Sequence, residues 1–137
     1  MTTTNRSVPG ATVIPVLAYP DVVEATDWLC NAFGFSVRLT IADHRAQLVY
    51  GDGALIVTGG GTGEPAAHSV LVRVEDADAH HELAAAAGAR ILSPPTDFPY
   101  GERQYNAEDL AGHRWTFSQS IADVDPAEWG GTPVDLG

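Results

Sequence analysis

The sequence contains no lysine, so arginine supplies all seven of its positively charged side chains. This absence excludes Schiff-base chemistry through a side-chain amine, including lysine-linked pyridoxal phosphate. The formal net charge of −11 also leaves no basic face of the kind that nucleic-acid binding requires, so we expect no nucleic-acid partner. A cationic small molecule would be attracted by this charge. Acidity that serves only solubility is the alternative that the composition leaves open.

Cysteine and long apolar runs are equally scarce. Cys30 is the single cysteine, which excludes an intrachain disulfide and, on a predicted helix, favours a buried thiol that acts as a small hydrophobe. No apolar run is long enough to cross a bilayer, so we expect no membrane partner. The polar first ten residues lack the apolar core of a signal peptide, which predicts a frayed arm and a cytoplasmic protein.

One structural order occurs twice in the chain: a strand, an aspartate, a helix and a glycine, at 12–35 and again at 69–91. Each aspartate is an expected helix N-cap, and each glycine is an expected helix stop. A glycine turn then precedes the last strand of each copy. The matching pairs are Asp21 with Asp76, Gly34 with Gly88, and Gly53 with Gly112. The duplication predicts an α+β fold of two paired βαβββ modules, which form a curved mixed sheet, or cup, with helices on its outer face.

The predicted organisation is a single domain, 1–137. It comprises a first module at 11–59, a glycine-rich linker at 60–67, a second module at 68–119 and a C-terminal tail at 120–137. Pro15 favours an edge position for the first strand, because proline has no N–H to donate. Ser93-Pro94-Pro95 should end the strand that begins at Ala89, and a loop should lead from there to the next strand. The tail should dock Trp129 against the domain.

Two segments carry side chains suited to a small ligand. Phe98 and Tyr100 lie in the predicted loop, and Arg103 and Tyr105 follow on the next strand. Aromatic rings with an arginine suit a planar or anionic ligand, although rings that only plug the mouth of the cup are an equal alternative.

The last strand alternates polar and aromatic residues. If Thr116 faces the cup together with Arg114 and Ser118, then Trp115 and Phe117 face the helices and belong to the core. The five histidines form no H-x-x-x-H pair, and His113 is expected to be solvated in a turn. The sequence therefore gives little support to a metal site built from histidines.

Three segments, VIPVLAYPDVVEATDWLCNAFGF, VLVRVEDADAHHELAAAAGA and YGERQYNAEDLAGHRWTFSQ, resemble the vicinal oxygen chelate superfamily. That superfamily includes glyoxalase I, extradiol dioxygenases, fosfomycin resistance enzymes and bleomycin resistance proteins. The resemblance covers residues 11–120 and is strongest to the glyoxalase or bleomycin resistance-like subgroup. It implies a cup that binds a small molecule, in a protein that forms a homodimer. Because one chain carries both modules, a monomeric cup is the alternative.

Family members with metal chemistry hold a divalent ion with four side chains. The resemblance places those positions at Ile14, Val57, Ser69 and Thr116. None of these is a usual ligand for zinc, nickel, iron or manganese, so we predict no metal and no cofactor. The predicted ligand-binding residues are Ser69, Thr116, Arg114, Phe98, Tyr100, Arg103 and Tyr105, and catalytic residues are left unassigned.

The leading hypothesis is therefore a metal-free small-molecule binding protein, of which antibiotic sequestration is one version. The alternative is a metal-independent acid–base lyase or isomerase of the same fold that uses Glu102, Tyr105 and Arg103. A third hypothesis is an interaction module that has lost its ligand.

Overall fold

The computed structural model describes residues 5–62 and 68–132, and within them the βαβββ order occurs twice. The first repeat consists of β1 (Val16–Ala18), α1 (Val22–Phe33), β2 (Ser36–Ile41), β3 (Arg45–Tyr50) and β4 (Gly53–Thr58). The second consists of β5 (Ser69–Arg73), α2 (Ala77–Ala86), β6 (Arg90–Phe98), β7 (Glu102–Glu108) and β8 (Arg114–Ser120), followed by a short 3-10 helix, Pro126–Trp129. The predicted α+β class with two paired modules is confirmed.

Each repeat forms its own four-stranded mixed sheet, in the orders β1-β4-β3-β2 and β5-β8-β7-β6. The first strand of each repeat runs parallel to the last, and the other neighbours are antiparallel. Val16 pairs with Ile56 in the first sheet, and Leu71 pairs with Thr116 in the second. Val16 and Leu71 stand at the same distance before their helix caps and are therefore equivalent positions. Their partners, Ile56 and Thr116, are then equivalent as well.

Both helices begin where the local sequence predicts. The Asp21 side chain accepts a hydrogen bond from the Glu24 N–H at 3.1 Å, and the Asp76 side chain accepts one from the Ala79 N–H at 3.0 Å. Each bond satisfies one of the backbone donors that a helix N-terminus leaves free. Gly34 ends α1 with a φ of 85°, which glycine adopts without steric penalty.

One hydrophobic core lies between the two modules. Phe33 at the end of α1 contacts the rings of Trp115 and Phe117 on β8, with centroids 5.3 and 4.9 Å apart. All three side chains have no measurable exposure. The first and second modules are therefore packed on each other through the helix-facing sides of their sheets. We call the side of each sheet that faces away from this core its helix-distal face.

Hydrogen bonds between buried polar groups also join the two modules. The Tyr19 hydroxyl, just beyond β1, donates to the Asp109 carboxylate in the turn before β8 at 2.6 Å. His113, predicted to be solvated, is only 8% exposed, and its Nε2 lies 2.7 Å from the Ala18 carbonyl oxygen. That expectation was wrong because the β7–β8 turn packs against the end of β1 rather than projecting into solvent.

The strand that should end at Ser93-Pro94-Pro95 continues instead through both prolines to Phe98. β6 is the edge strand of its sheet, where a missing N–H is tolerated. Its pairing with β7 also shifts register between Ser93 and Thr96. The predicted edge position of the first strand is observed for β1.

Some sequence expectations fall outside the described residues, namely those for 1–4, most of the linker (63–67) and the end of the tail (133–137). The proposed module boundaries stay predictions. None of the helices in the described part of the chain has the length and apolarity needed to span a membrane.

Candidate functional site

The helix-distal face of the second sheet is rich in hydrogen-bonding side chains. Tyr105, Trp115 and Phe117 are fully buried in the core, so the residues that alternate with them on β7 and β8 point away from it. This face carries Ser69, Leu71 and Arg73 from β5, Glu102, Gln104, Asn106 and Glu108 from β7, and Arg114, Thr116, Ser118 and Ser120 from β8.

Thr116 belongs to a hydrogen-bonded row that crosses three strands. Its hydroxyl donates to Asn106 Oδ1 at 2.6 Å, and Asn106 Nδ2 donates to the Ser93 hydroxyl at 2.7 Å. All three side chains are half-buried. The row fixes the orientation of the Asn106 amide and leaves a polar but uncharged strip in the middle of the sheet.

A second row runs beside it and ends in a carboxylate. Tyr100 donates to Gln104 Oε1 at 3.1 Å, Gln104 Nε2 donates to the Ser118 hydroxyl at 3.0 Å, and Ser118 donates to Glu102 Oε1 at 2.7 Å. Burial raises the pKa of Glu102, but hydrogen bonds from Ser120 and Ser118 and the Arg73 guanidinium outweigh it, so the pKa lies below its ordinary value. Glu102 is therefore an ionised acceptor near pH 7.

An aromatic cluster closes one end of this face. The Phe98 and Tyr100 rings are stacked with centroids 5.4 Å apart, and Trp129 of the 3-10 helix meets Tyr100 edge-on at 5.6 Å. Trp129 keeps 48% of its surface exposed. The predicted docking of this tryptophan is thus observed, and its free ring surface remains open to a planar partner.

A groove of about 1000 Å³ adjoins the polar face, within the size range of sites for drug-sized ligands. Its walls are β5, the start of α2, the turn between β3 and β4, and the residues just ahead of β1. Leu71, Arg73 and Ser120 line the groove and also lie on the helix-distal face. The two surfaces are therefore continuous around the free edge of β5.

Aromatic and acidic side chains meet inside the groove. Tyr50, His80, Asp52 and Glu75 all line it. Burial raises the pKa of Tyr50, with a further contribution from the negative charge of Glu75. The interior therefore combines apolar walls with carboxylates, a combination that suits a ligand bearing a donor or a positive charge.

His80 is held at both ring nitrogens. Its Nε2 lies 2.9 Å from the Phe33 carbonyl oxygen, so this nitrogen carries the proton, and its Nδ1 accepts from the Tyr105 hydroxyl at 2.5 Å. Burial lowers the pKa of His80, partly opposed by the Phe33 carbonyl. The histidine is thus a neutral tie between α2, β7 and the end of α1, and neither nitrogen is free for proton transfer in the groove.

The structure brings five of the seven predicted ligand-binding residues onto one face. Ser69 pairs with Arg114, and Phe98 pairs with Glu102, which places them beside Thr116. Tyr100 joins them through Gln104. Binding by these residues stays a prediction.

Arg103 and Tyr105 lie on the opposite side of the sheet, which corrects the sequence interpretation. Arg103 donates to Asp78 of α2 at 3.0 Å and to Asp97 at 2.8 Å. Tyr105 is fully buried against His80. Alternate strand residues point to opposite faces, and the register of β7 against β8 puts Glu102, Gln104 and Asn106 on the polar face instead.

Sequence reasoning therefore missed Gln104 and Asn106, whereas Ser118 was among the alternating polar residues of the last strand. The available signal was the alternation with Tyr105 and Phe117, which identifies the polar face once the buried aromatic residues are known.

The metal positions implied by the resemblance need one correction. Val57 is fully buried in the core, and the register that pairs Leu71 with Thr116 pairs Val16 with Ile56, so Ile56 is the structural counterpart of Thr116. The donor set becomes Ile14, Ile56, Ser69 and Thr116. Two aliphatic groups and two neutral hydroxyls do not fit a catalytic divalent ion. Across 5–62 and 68–132, no group of three His, Cys, Asp or Glu side chains could hold a metal ion.

Comparison with known proteins gives one family and many similar folds. The sequence model of the Glyoxalase/Bleomycin resistance protein/Dioxygenase superfamily matches residues 12–117. No curated protein sequence matches this chain.

Among solved structures, TioX from Micromonospora sp. ML1 is 37% identical, with a TM-score of 0.69 over 82% of this chain and 100% of that one. A glyoxalase/bleomycin resistance protein/dioxygenase from Nocardioides is 18% identical, with a TM-score of 0.65 over 99% and 93% of the two chains. The fosfomycin resistance protein FosX from Listeria monocytogenes is 14% identical, with a TM-score of 0.67 over 82% and 94%. The last two share the fold alone.

Proposed function

The chain belongs to the Glyoxalase/Bleomycin resistance protein/Dioxygenase superfamily, and from that premise we propose that it is a metal-independent small-molecule binding protein. The observation that carries the proposal is the donor set Ile14, Ile56, Ser69 and Thr116. Metal-dependent reactions of this fold need an ion to polarise the substrate, and these side chains offer it no nitrogen or carboxylate. Ser69 and Thr116 instead lie on the helix-distal face of the second sheet, which offers a prearranged surface for hydrogen bonding.

The proposed ligand is planar, partly aromatic and equipped with hydrogen-bonding groups. Its ring would stack on the exposed surface of Trp129 or Tyr100. Its polar atoms would meet Gln104, Asn106 and the ionised Glu102, whose orientations are already fixed by neighbours. Such preorganisation lowers the entropic cost of binding. The groove along β5 would take the remainder of the molecule.

Antibiotic sequestration is the specific version that we favour, in a cytoplasmic homodimer. FosX is a fosfomycin resistance protein by name, and bleomycin resistance proteins give the superfamily part of its name. The dimer is supported by apolar side chains around the groove: Val13, Leu71 and Leu83 are 79, 61 and 69% exposed. A second copy covering them would also close the groove around a ligand.

The alternative of a metal-independent enzyme has less geometric support. It requires Glu102, Tyr105 and Arg103 to converge on one substrate. Glu102 lies on the helix-distal face, whereas Tyr105 is buried on the other side and Arg103 is paired with two carboxylates there.

Thermal unfolding of the full chain with bleomycin, fosfomycin and aromatic acids such as 2-naphthoate tests the proposal. A ligand at a hundredfold excess over its Kd stabilises the folded state by about 2.7 kcal/mol. We expect at least one compound to do so with and without added zinc or nickel. Arg73→Gln and Gln104→Ala should reduce its affinity, whereas Arg103→Gln, a matched change on the opposite face, should not. Binding that requires a metal ion and is lost in Thr116→Ala would refute the proposal.

Sedimentation equilibrium tests the dimer separately. Leu71→Glu and Leu83→Glu should each shift the chain towards monomer, and Leu92→Glu, an exposed leucine of β6 outside the groove, should not. A wild-type chain that stays monomeric at millimolar concentration would eliminate the dimer.

A further inference from the structure

The two helix-distal faces differ in one respect: residues 5–10 cover that of the first sheet. Gln47 and Ile56 are register partners on this face, and they are only 4 and 9% exposed. Neither belongs to the core shared by the modules. The N-terminal segment therefore lies against this face, although the sequence predicted a frayed arm, and Pro9 within it is buried.

Two side chains of the sheet hold the segment by its backbone. Arg38 Nη2 donates to the Arg6 carbonyl oxygen at 2.9 Å, and Gln47 Nε2 donates to the next carbonyl, that of Ser7, at 2.9 Å. Arg38 Nη1 also donates to Gln47 Oε1 at 2.6 Å. This third bond orients the Gln47 amide so that its donor points at the segment.

The recognition uses peptide groups rather than side chains of the segment. Successive carbonyls are present in every peptide, and Pro9 supplies a ring that needs no partner for a backbone N–H. The second sheet lacks an equivalent arrangement, because the amide of Asn106, the counterpart of Gln47, is hydrogen-bonded to Thr116 and Ser93. The Arg38–Gln47 pair is thus a feature of the first sheet alone among the described residues.

We propose that the Arg38–Gln47 pair makes the helix-distal face of the first sheet a binding surface for a proline-containing peptide in a turn conformation, which residues 5–10 occupy in cis. A tethered segment acts at an effective concentration in the millimolar range, so it excludes weak free peptides until it is displaced. The surface is separate from the second sheet, and its test is independent of the small-molecule function.

The experiment uses a fluorescein-labelled peptide with the sequence of residues 5–11, NRSVPGA, and fluorescence anisotropy. Two full-length proteins carry a weakened arm: Pro9→Gly removes the buried ring, and Ser7→Pro removes the N–H that Asn5 Oδ1 accepts at 3.0 Å. We expect the peptide to bind at least one of them tenfold more tightly than it binds the wild-type chain.

Matched variants in the arm-weakened background identify the surface. Gln47→Leu and Arg38→Met should each weaken peptide binding at least tenfold, the usual effect of losing a hydrogen bond to a charged or buried group. Arg90→Met, a change at an exposed arginine of the second sheet, should leave it unaltered. No binding to either arm-weakened protein at millimolar peptide, or binding that Gln47→Leu and Arg38→Met leave unchanged, would overturn the proposal.

Discussion

Replacing Tyr19 by Phe should destabilise the protein strongly for a change that removes a single hydroxyl group. The Tyr19 hydroxyl donates to Asp109 Oδ2 at 2.6 Å, and the two side chains are 0 and 6% exposed. The same carboxylate also accepts from Trp115 Nε1 at 3.1 Å and from the backbone N–H groups of Ala111 and His113 at 3.0 Å. Tyr19 contributes the one donor that comes from the first module.

The expected loss follows from the nature of the bond. A hydrogen bond to a charged group is worth about 1.5–3 kcal/mol, and phenylalanine preserves the shape of the ring. Asp109 still accepts hydrogen bonds from three donors in the variant. The loss of unfolding free energy should therefore stay within that range. For a chain of this size, such a loss corresponds to a decrease in Tm of about 5–10 °C.

Urea unfolding at pH 7, followed by tryptophan fluorescence, measures this loss. The m-value should be unchanged, because the same surface is exposed on unfolding. Tyr100→Phe is the matched control: its hydroxyl donates to the neutral amide of Gln104 and is partly exposed, so it should cost less than about 1 kcal/mol. In an Asp109→Asn background, the Tyr19→Phe effect should shrink. A Tyr19→Phe loss below about 0.5 kcal/mol, equal to that of the control, would refute the view that Asp109 is a buried charged tie between the modules.

Two further predictions concern pH and backbone space. The pKa of His80 is lowered in the folded state. Its contribution to folding stability is therefore complete above the unfolded pKa near 6.5 and is lost as the pH falls below that value. From pH 8 to 5, the unfolding free energy of the wild type should fall more than that of His80→Gln. Gly101 and Gly88 both have positive φ. A Cβ at Gly101 would lie 2.4 Å from the Ala122 carbonyl oxygen, whereas one at Gly88 would meet nothing within 4 Å. Gly101→Ala should therefore destabilise the protein more than Gly88→Ala, whose penalty should be about 1–2 kcal/mol. Parallel pH profiles for the wild type and His80→Gln, or equal losses for the two glycine variants, would contradict these predictions.

The elements that the sequence predicted well are those set by neighbouring residues. Asp21 caps α1 by bonding a backbone N–H three residues away, and Gly34 ends the helix through its own torsion angle. Both signals lie within one helical turn, so no distant contact was needed to interpret them. The order of the strands followed in the same way from the repeat.

The errors at the candidate site share one physical cause, which is strand register. Val57 was assigned as a metal-ligand position by counting residues from Gly53, just as Thr116 was assigned by counting from Gly112. In the structure Gly53 is already part of β4 and pairs with Tyr50 across a two-residue turn. Gly112 lies in a longer turn, before β8 begins. Counting from unequal turns shifted the residue by one position, and a shift of one position exchanges the two faces of a strand.

Arg103 and Tyr105 illustrate the same limit on the candidate site. Their types suited a ligand, and their position beside Phe98 and Tyr100 was suggestive. Which face they occupy depends on how β7 pairs with β8 and on α2, where Asp78 receives Arg103. Local sequence does not contain that pairing.

The sequence by itself determined the duplicated module, the helix limits and the aliphatic or hydroxylic character of the positions where relatives place metal ligands, because each depends on residue type and short-range spacing. Only the tertiary structure decided which side chains share the polar face, that His113 is buried, and that residues 5–10 cover the first sheet. Those outcomes depend on contacts between residues far apart in the chain, such as Tyr19 with Asp109 and Gln47 with Ser7, and such contacts form only when the two modules and the N-terminal segment are packed together.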